Sequence, residues 1–288
     1  MNRQLLLGFK AFDVHELLCH FAARKAGFYQ RRGLNVFLRD ITFTGYEHAS
    51  LPVFSTACAA GLMDILNGAE KCLVLVVMQR PLFWLFGGPG IERIEQLDGS
   101  SIAGYMDIAP PAHFLNWILA DVSLDRPPDI QPVRDDIARL GLLLSGEVDA
   151  GLFSSAVSPT YLETFGLKKL SSPAELLQFP TTGLTTDKFV IEQQPELVEA
   201  LVAAHAEALA LLRKDVDFIY STINEMPLLG DPAGLVPTLS SAFTEDGHVT
   251  ESVGRSSFLR MGQSMGGESS SRDLGALFDY SALNRFLN

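Results

Sequence analysis

The chain has 288 residues, 47% of them hydrophobic and 19% charged, with a formal net charge of −12. This composition is globular rather than disordered, and the length suits one large domain or two lobes of ordinary size. The acidic balance argues against nucleic acid and anionic membranes as partners, and no apolar run approaches the roughly 20 residues that a membrane-spanning helix needs.

Strand and helix patterns alternate from the start. "QLLLGF" reads as a buried strand. "VHELLCHFAARKAGFYQRRG" follows as a helix with Val14, Leu17, Leu18, Phe21 and Ala22 at helical spacing. Asp13 and Glu16 have capping-box spacing at its start. Glu16 and His20, four apart, read as a surface pair. "LNVFLRDITF" is the next strand, and Ser50 with Pro52 marks a second helix start, carrying Leu51, Phe54, Cys58, Leu62 and Ile65. "KCLVLVVM" is the continuous apolar run of a central parallel strand. "QRPLFWLFGGPG", with its prolines and glycines, reads as a crossover.

Beyond it, "IERIEQLDGSSIAGYM" leads into a strand and "PPAHFLNWILADV" into a helix. "DIQPV", "DAGLF", "GLKKL" and "TTGLTT" read as strands, and "DDIARLGLLLSG" as a helix. From Pro195 the chain is mostly helical, interrupted by the Gly- and Ser-rich "GQSMGGESSSRD". Alternation of this kind implies open α/β sheets, which bind ligands at the carboxyl ends of their strands. Ser154 and Ser155, directly after "DAGLF", fall at such an end.

Cys19, Cys58 and Cys72 are odd in number and lack CxxC spacing. This argues against a disulfide framework or a zinc site and mildly favours a reducing compartment. The opening "MNRQLLLGFKAFD" lacks the cleavage site of a secretory leader. A cytoplasmic protein is expected from the sequence as written, or a periplasmic one if a leader has been removed. No Gly-rich phosphate loop, HExxH or nucleophile elbow is present. No metal and no cofactor is expected.

"HFAARKAGFYQRRGLNVFL" resembles the opening of the nitrate/taurine/alkanesulfonate-type substrate-binding proteins of ABC transporters. "LDGSSIAGY" is similar to their strand entry into a second lobe, with Ser101 in place of the usual Lys. "LLSGEVDAGLF", "GLTTDKFVIEQQPELVEALVAAHAEAL" and "LFDYSALNRFL" resemble their later segments, in order along nearly the whole chain.

The resemblance implies a two-lobed type II periplasmic-binding-protein fold, each lobe an open mixed sheet flanked by helices, with a small-molecule ligand in the cleft between them. It implies a permease as partner and no direct membrane insertion. The lobes would be residues 1–84 with 186–288, and residues 85–185, with crossings near Arg80 to Leu85 and Thr185 to Lys188. "GLMDILNGAEKCLVL" departs from the pattern by running almost straight through, so a cleft-facing loop is expected to be rebuilt. The same fold serves cytoplasmic enzymes: a thiamin-pyrimidine synthase, a chorismate dehydratase, a decarboxylase and an aryl sulfinate desulfinase. An enzyme of that kind is the alternative.

Lys10, Phe12 and Asp13 follow the first strand and are candidate ligand contacts. Asp13 reads first as a helix cap by its capping-box spacing, a role compatible with accepting one more donor from a ligand. Arg80 and Trp84 lie at the first crossing. Asp107 and His113 flank Pro110 and Pro111, which supply no N–H, so a helix starting there lacks two anion-binding donors. With Asp13 at the facing helix, the expected ligand is heteroaromatic, amino-bearing or an organic acid held by Lys10 or Arg80, and not a simple inorganic anion. Tyr105 offers a further ring. Ser154 and Ser155 are contacts, or with Ser158 a cap before Pro159. His15 and Cys19 share a helix face; the thiol reads first as a packed side chain near a helix start, with a thiol–imidazole nucleophile pair as the alternative. His205 lies on an apolar helix face and reads as structural.

Overall fold

The computed structural model describes residues 3–42, 50–266 and 277–288. Most of "GQSMGGESSSRD" therefore lies outside the described residues. The chain divides into two compact units. The first comprises Met1–Gln79, Gln178–Met226 and Phe243–Asn288, and the second Arg80–Leu177 and Pro227–Ala242.

The first unit begins β1 (Arg3–Phe9), α1 (Val14–Lys25), α2 (Phe28–Arg31), β2 (Leu34–Asp40), β3 (Val53–Ser55), α3 (Cys58–Leu66) and β4 (Lys71–Met78). One strand here was not expected. β3 occupies part of the segment read as a helix, because Phe54 and Ser55 are buried beside β1 before α3 begins. The helix expected to run to Gly33 breaks at Gly27, whose φ of 71° lies in the left-handed region that glycine tolerates.

The second unit follows with β5 (Phe83–Gly87), β6 (Ser101–Gly104), α4 (Pro110–Ala120), β7 (Asp129–Pro132), α5 (Asp136–Ser145), β8 (Ala150–Ser154), α6 (Pro159–Glu163), β9 (Lys168–Ser171) and α7 (Pro173–Leu176). β5 replaces the expected crossover. "FWLFG" is buried at every position and lies antiparallel between β8 and β9.

The chain then re-enters the first unit as β10 (Thr182–Asp187), α8 (Lys188–Gln193), α9 (Pro195–Lys214) and α10 (Val216–Ile223). α11 (Val236–Ala242) belongs to the second unit. Leu229 N–H donates to Ala156 O at 2.9 Å and Ser158 N–H to Leu229 O at 2.8 Å, which stitches this excursion onto the loop after β8. Residues 227–242 thus sit with the second unit, whereas the resemblance had placed everything after 186 in the first lobe. α12 (Glu251–Ser264) and α13 (Ser281–Leu287) complete the first unit.

The two sheets share one plan. Their strand orders are β2-β1-β3-β10-β4 and β7-β6-β8-β5-β9. In each, four strands are parallel and the strand in the fourth position is antiparallel. That antiparallel strand is the one that follows a crossing from the other unit: β10 in the first sheet, β5 in the second. Parallel strands covered on both faces need continuous apolar sequence. β4, expected as a central parallel strand, instead ends the strand order and pairs antiparallel with β10, yet it is buried from Cys72 to Met78. Gly183 lets β10 close on β4, since a Cβ there would collide with the Leu75 carbonyl oxygen.

Candidate functional site

In the first unit, residues 10–13 form the loop at the carboxyl end of β1. Lys10 is exposed. Phe12 is exposed and sets its ring edge-on to Phe9 and Phe21, at 5.3 and 6.2 Å. Asp13 is 2% exposed, and its carboxylate accepts the Glu16 N–H at 2.8 Å as the N-cap of α1.

Glu16, expected on the surface, is buried. Its Oε1 accepts Lys10 N–H at 2.8 Å and the Thr56 hydroxyl at 2.7 Å, and its Oε2 accepts Ala11 N–H at 2.8 Å. One carboxylate thereby ties the loop after β1 to the loop after β3. Burial raises its pKa against the pull of these donors.

His15 and Cys19 are not joined into a nucleophile. Thr181 Oγ1 donates to Met78 O at 2.9 Å, so it accepts from His15 Nε2 at 2.8 Å, which places the ring proton on Nε2. Cys19 Sγ donates to His205 O at 3.5 Å, and burial alone pushes its thiol well above the ordinary range. A thiol kept protonated is inert.

His20, expected beside Glu16 on the surface, is buried in a different chain of bonds. His205 Nδ1 lies 3.1 Å from Leu201 O and donates to it, so His205 Nε2 accepts from Tyr29 Oη at 3.3 Å. Tyr29 in turn accepts from His20 Nδ1 at 3.0 Å. Burial lowers His20 to about 3 and His205 to about 4, so both are neutral.

In the second unit, the candidates divide between core and edge. Trp84 is 2% exposed within β5 and belongs to the core. Arg80 donates Nη1 to Ala174 O at 2.9 Å. α4 begins at Pro110 and Pro111, with Ala109 as an N-cap whose side chain makes no bond. Ala112 N–H, the first amide of the helix, is already given to Ala109 O at 3.0 Å. Asp107 is exposed, and the Asp107 backbone accepts a bond from His113, whose pKa burial lowers. Met106 and Ile108 on this loop and Ile137 in the first turn of α5 are exposed apolar side chains.

Ser154 ends β8 and is 4% exposed. Its hydroxyl donates to Asp136 Oδ2 at 2.6 Å and its N–H to Asp136 Oδ1 at 3.1 Å. Asp136 Oδ1 also receives Arg139 Nη1 at 2.6 Å. Arg139 Nη2 reaches Val133 O at 3.0 Å, Nε reaches Gly104 O at 3.3 Å, and the guanidinium lies 3.7 Å from the Tyr105 ring centroid. Arg139 therefore closes the carboxyl ends of β6, β7 and β8 together. Ser155 is fully buried, and Ser158 pairs its hydroxyl with Thr160 at 2.8 Å.

Sequence reasoning passed over Arg139, Asp136, Thr56 and Thr181. The one available signal was Asp136 and Arg139 at i,i+3 on a helix otherwise rich in Leu. Among the described residues no group of three His, Cys, Asp or Glu side chains gathers as a metal site, and no helix is long and apolar enough to cross a membrane.

No family model and no curated protein matches the chain. Solved structures do. The ligand-binding component of an ABC-type import system from Staphylococcus aureus, with zinc bound, matches with a TM-score of 0.79 at 9% identity, over 98% of each chain. The alkanesulfonate-binding protein from Xanthomonas axonopodis pv. citri, bound to MOPS, matches with a TM-score of 0.68 at 15% identity, over 97% of each chain. The desulfurization enzyme DSZB matches with a TM-score of 0.71 at 13% identity, over 99% of each chain. The fold is the periplasmic-binding-protein fold, with two α/β units built on mixed five-stranded sheets.

Proposed function

We propose that the chain is a substrate-binding protein of the ABC-importer type, and that the loops at the carboxyl ends of its strands hold a small organic ligand. The observation that carries this reading is the state of the edge residues. Ser154, Asp136, Glu16 and Thr56 are fixed by the protein itself, and the Cys19 thiol is held protonated. Such groups are built to recognise, and among the described residues of this edge none of them is prepared as a nucleophile. The full-length likeness to ligand-binding components of import systems supports the same reading. The partner is a membrane permease, and the ligand is delivered to it from the periplasmic side.

The ligand is neutral, heteroaromatic or amino-bearing. Helix N-termini that would hold an anion carry Asp13 and Glu16 at α1, Pro110 and Pro111 at α4, and Asp135 and Asp136 at α5. The second unit adds 14 acidic against 7 basic residues, a formal charge of −7. An organic acid would rely on Lys10 or Arg80. Titration calorimetry against pyrimidines, sulfonates and aromatic acids tests the proposal. Binding without turnover, with no response to nitrate or taurine, is the expected result. Turnover of every binder would overturn it.

The desulfurization-enzyme neighbours, one of them a mutant in complex with biphenyl-2-sulfinic acid, favour a second reading. In it the chain is a cytoplasmic enzyme acting on a small aromatic or heterocyclic substrate. Recovery of the native protein from a periplasmic fraction would exclude it.

A further inference from the structure

A serine hydroxyl has one proton to give and two lone pairs to receive with. At Ser154 the proton is committed to Asp136 Oδ2 at 2.6 Å, the length of a charge-assisted bond. One lone pair takes the Ala156 N–H at 3.2 Å. What remains is a single acceptor position.

Arg139 enforces this. Its side chain is 1% exposed, and Gly104 O, Val133 O and the Tyr105 ring hold the guanidinium against Asp136. Asp136 in turn holds both the N–H and the hydroxyl of Ser154. Removing two charges from water is costly, and a buried pair is weak evidence for stability as such. Here the pair fixes the direction of one proton at the end of a strand.

We propose that Arg139 is a positioning residue that makes Ser154 an obligate hydrogen-bond acceptor, so that a ligand group binding at this edge of the second unit's sheet carries an N–H or O–H donor. The inference rests on the proposed function and narrows it. An amine, amide or hydroxyl is accepted at Ser154, and a carboxylate, sulfonate or nitrate oxygen is refused, because two acceptors would face each other. Lys in place of Arg139 keeps the charge but not the planar fork that spans Asp136, Gly104 and Val133.

The test uses matched fragments on one ring, benzamide against benzoate and benzenesulfonamide against benzenesulfonate. Binding to the full chain is followed at the Ser154 and Ala156 backbone amides by NMR. The amide of each pair is expected to bind at least about tenfold tighter than its anion, the worth of one hydrogen bond to a charge-assisted acceptor. Ser154→Ala is expected to bring each pair to within about twofold. Arg139→Lys is expected to lose most of the discrimination while Ser154 is still present. Ser154→Thr, which keeps the hydroxyl, is expected to restore what Ser154→Ala loses, a rescue that a merely structural role would not produce. Tighter binding of either anion at these amides would overturn the inference, as would unchanged discrimination in Ser154→Ala. Binding of all fragments away from these amides would overturn the placement of the site, and with it the proposed function.

Discussion

Each unit closes the carboxyl edge of its sheet with a carboxylate from the first turn of a helix, but the two are balanced differently. In the first unit Glu16 is buried against two backbone amides and the Thr56 hydroxyl, and desolvation outweighs them. In the second unit Asp136 is matched by a buried guanidinium. Uncharged donors can hold a carboxylate, but they leave its ionisation unfavourable. A counter-cation removes that cost and adds the cost of its own burial. The first arrangement responds to pH, and the second responds to loss of its partner.

The largest effect expected from this difference is at Arg139. Arg139→Met leaves Asp136 without its counter-charge and should destabilise the protein by about 3–5 kcal/mol. Urea unfolding with hydrogen exchange should place the loss in the second unit first. The double variant Arg139→Met with Asp136→Leu should recover a large part of it, because no buried charge is then left unpaired. If it does not, the two side chains do not act as a balanced pair.

Glu16→Gln comes next. The amide keeps one oxygen but turns an NH2 toward a backbone N–H, so a buried donor is left unmet at a cost of about 1–3 kcal/mol. Its cost should also shrink as pH rises. The folded pKa of Glu16 is raised, so its ionisation weakens the fold as pH rises through that value, and stability is fullest below the ordinary 4.5. Glu16→Gln should remove this dependence.

How the two edges came to light differs as well. Asp13 as a cap was legible, because a carboxylate three residues before Glu16 has one local geometry. The loss of donors at α4 was legible too, since two prolines announce it. The alternating pattern also revealed most strands. β3 and β5 were not legible: three residues after Ser50 and Pro52 mimic a helix start, and "FWLFG" between prolines and glycines mimics a link. Arg139 was hidden for a deeper reason. Its i,i+3 spacing from Asp136 was the one local signal, and an exposed ion pair on "DDIARLG" would show the same spacing. Only the strand order, with β6 between β7 and β8, brings Gly104 O, Val133 O and Ser154 within reach of one side-chain pair. Glu16 was misread as exposed because one of its donors comes from a loop 40 residues away.

Acid should also distinguish the units. His20 and His205 are buried neutral in the first unit, with pKa values lowered from 6.5 to about 3 and about 4. Their contribution is complete above pH 6.5 and declines as pH falls toward those values, because the unfolded chain takes up the protons first. Amides of α1, α2 and α9 should therefore lose protection between about pH 6.5 and 4 ahead of the second sheet. His113 burial acts in the same direction in the second unit, so the comparison is one of degree. His205→Gln, which can donate to Leu201 O and accept from Tyr29, should flatten the slope of unfolding free energy in that window. An unchanged slope would remove the histidine chain as its origin.

The smallest difference is at the caps. α1 has Asp13 and α4 has Ala109, both with extended backbone suited to capping. Asp13→Ala should cost about 1 kcal/mol by leaving the Glu16 amide unmet. The converse change, Ala109→Ser, should give back less than a normal cap. A serine oxygen at that position reaches toward the second and third amides of the helix. The second is absent because Pro111 has none, and the third, from Ala112, is already bonded to Ala109 O at 3.0 Å. The gain should be a few tenths of a kcal/mol at most, measurable as a melting shift of about 1 °C or less in a chain of this size. A gain near about 1 kcal/mol would mean that the Ala112 amide is more available than its bond to Ala109 implies. The α4 terminus would then be open to an anion, and the contrast between the two edges would narrow.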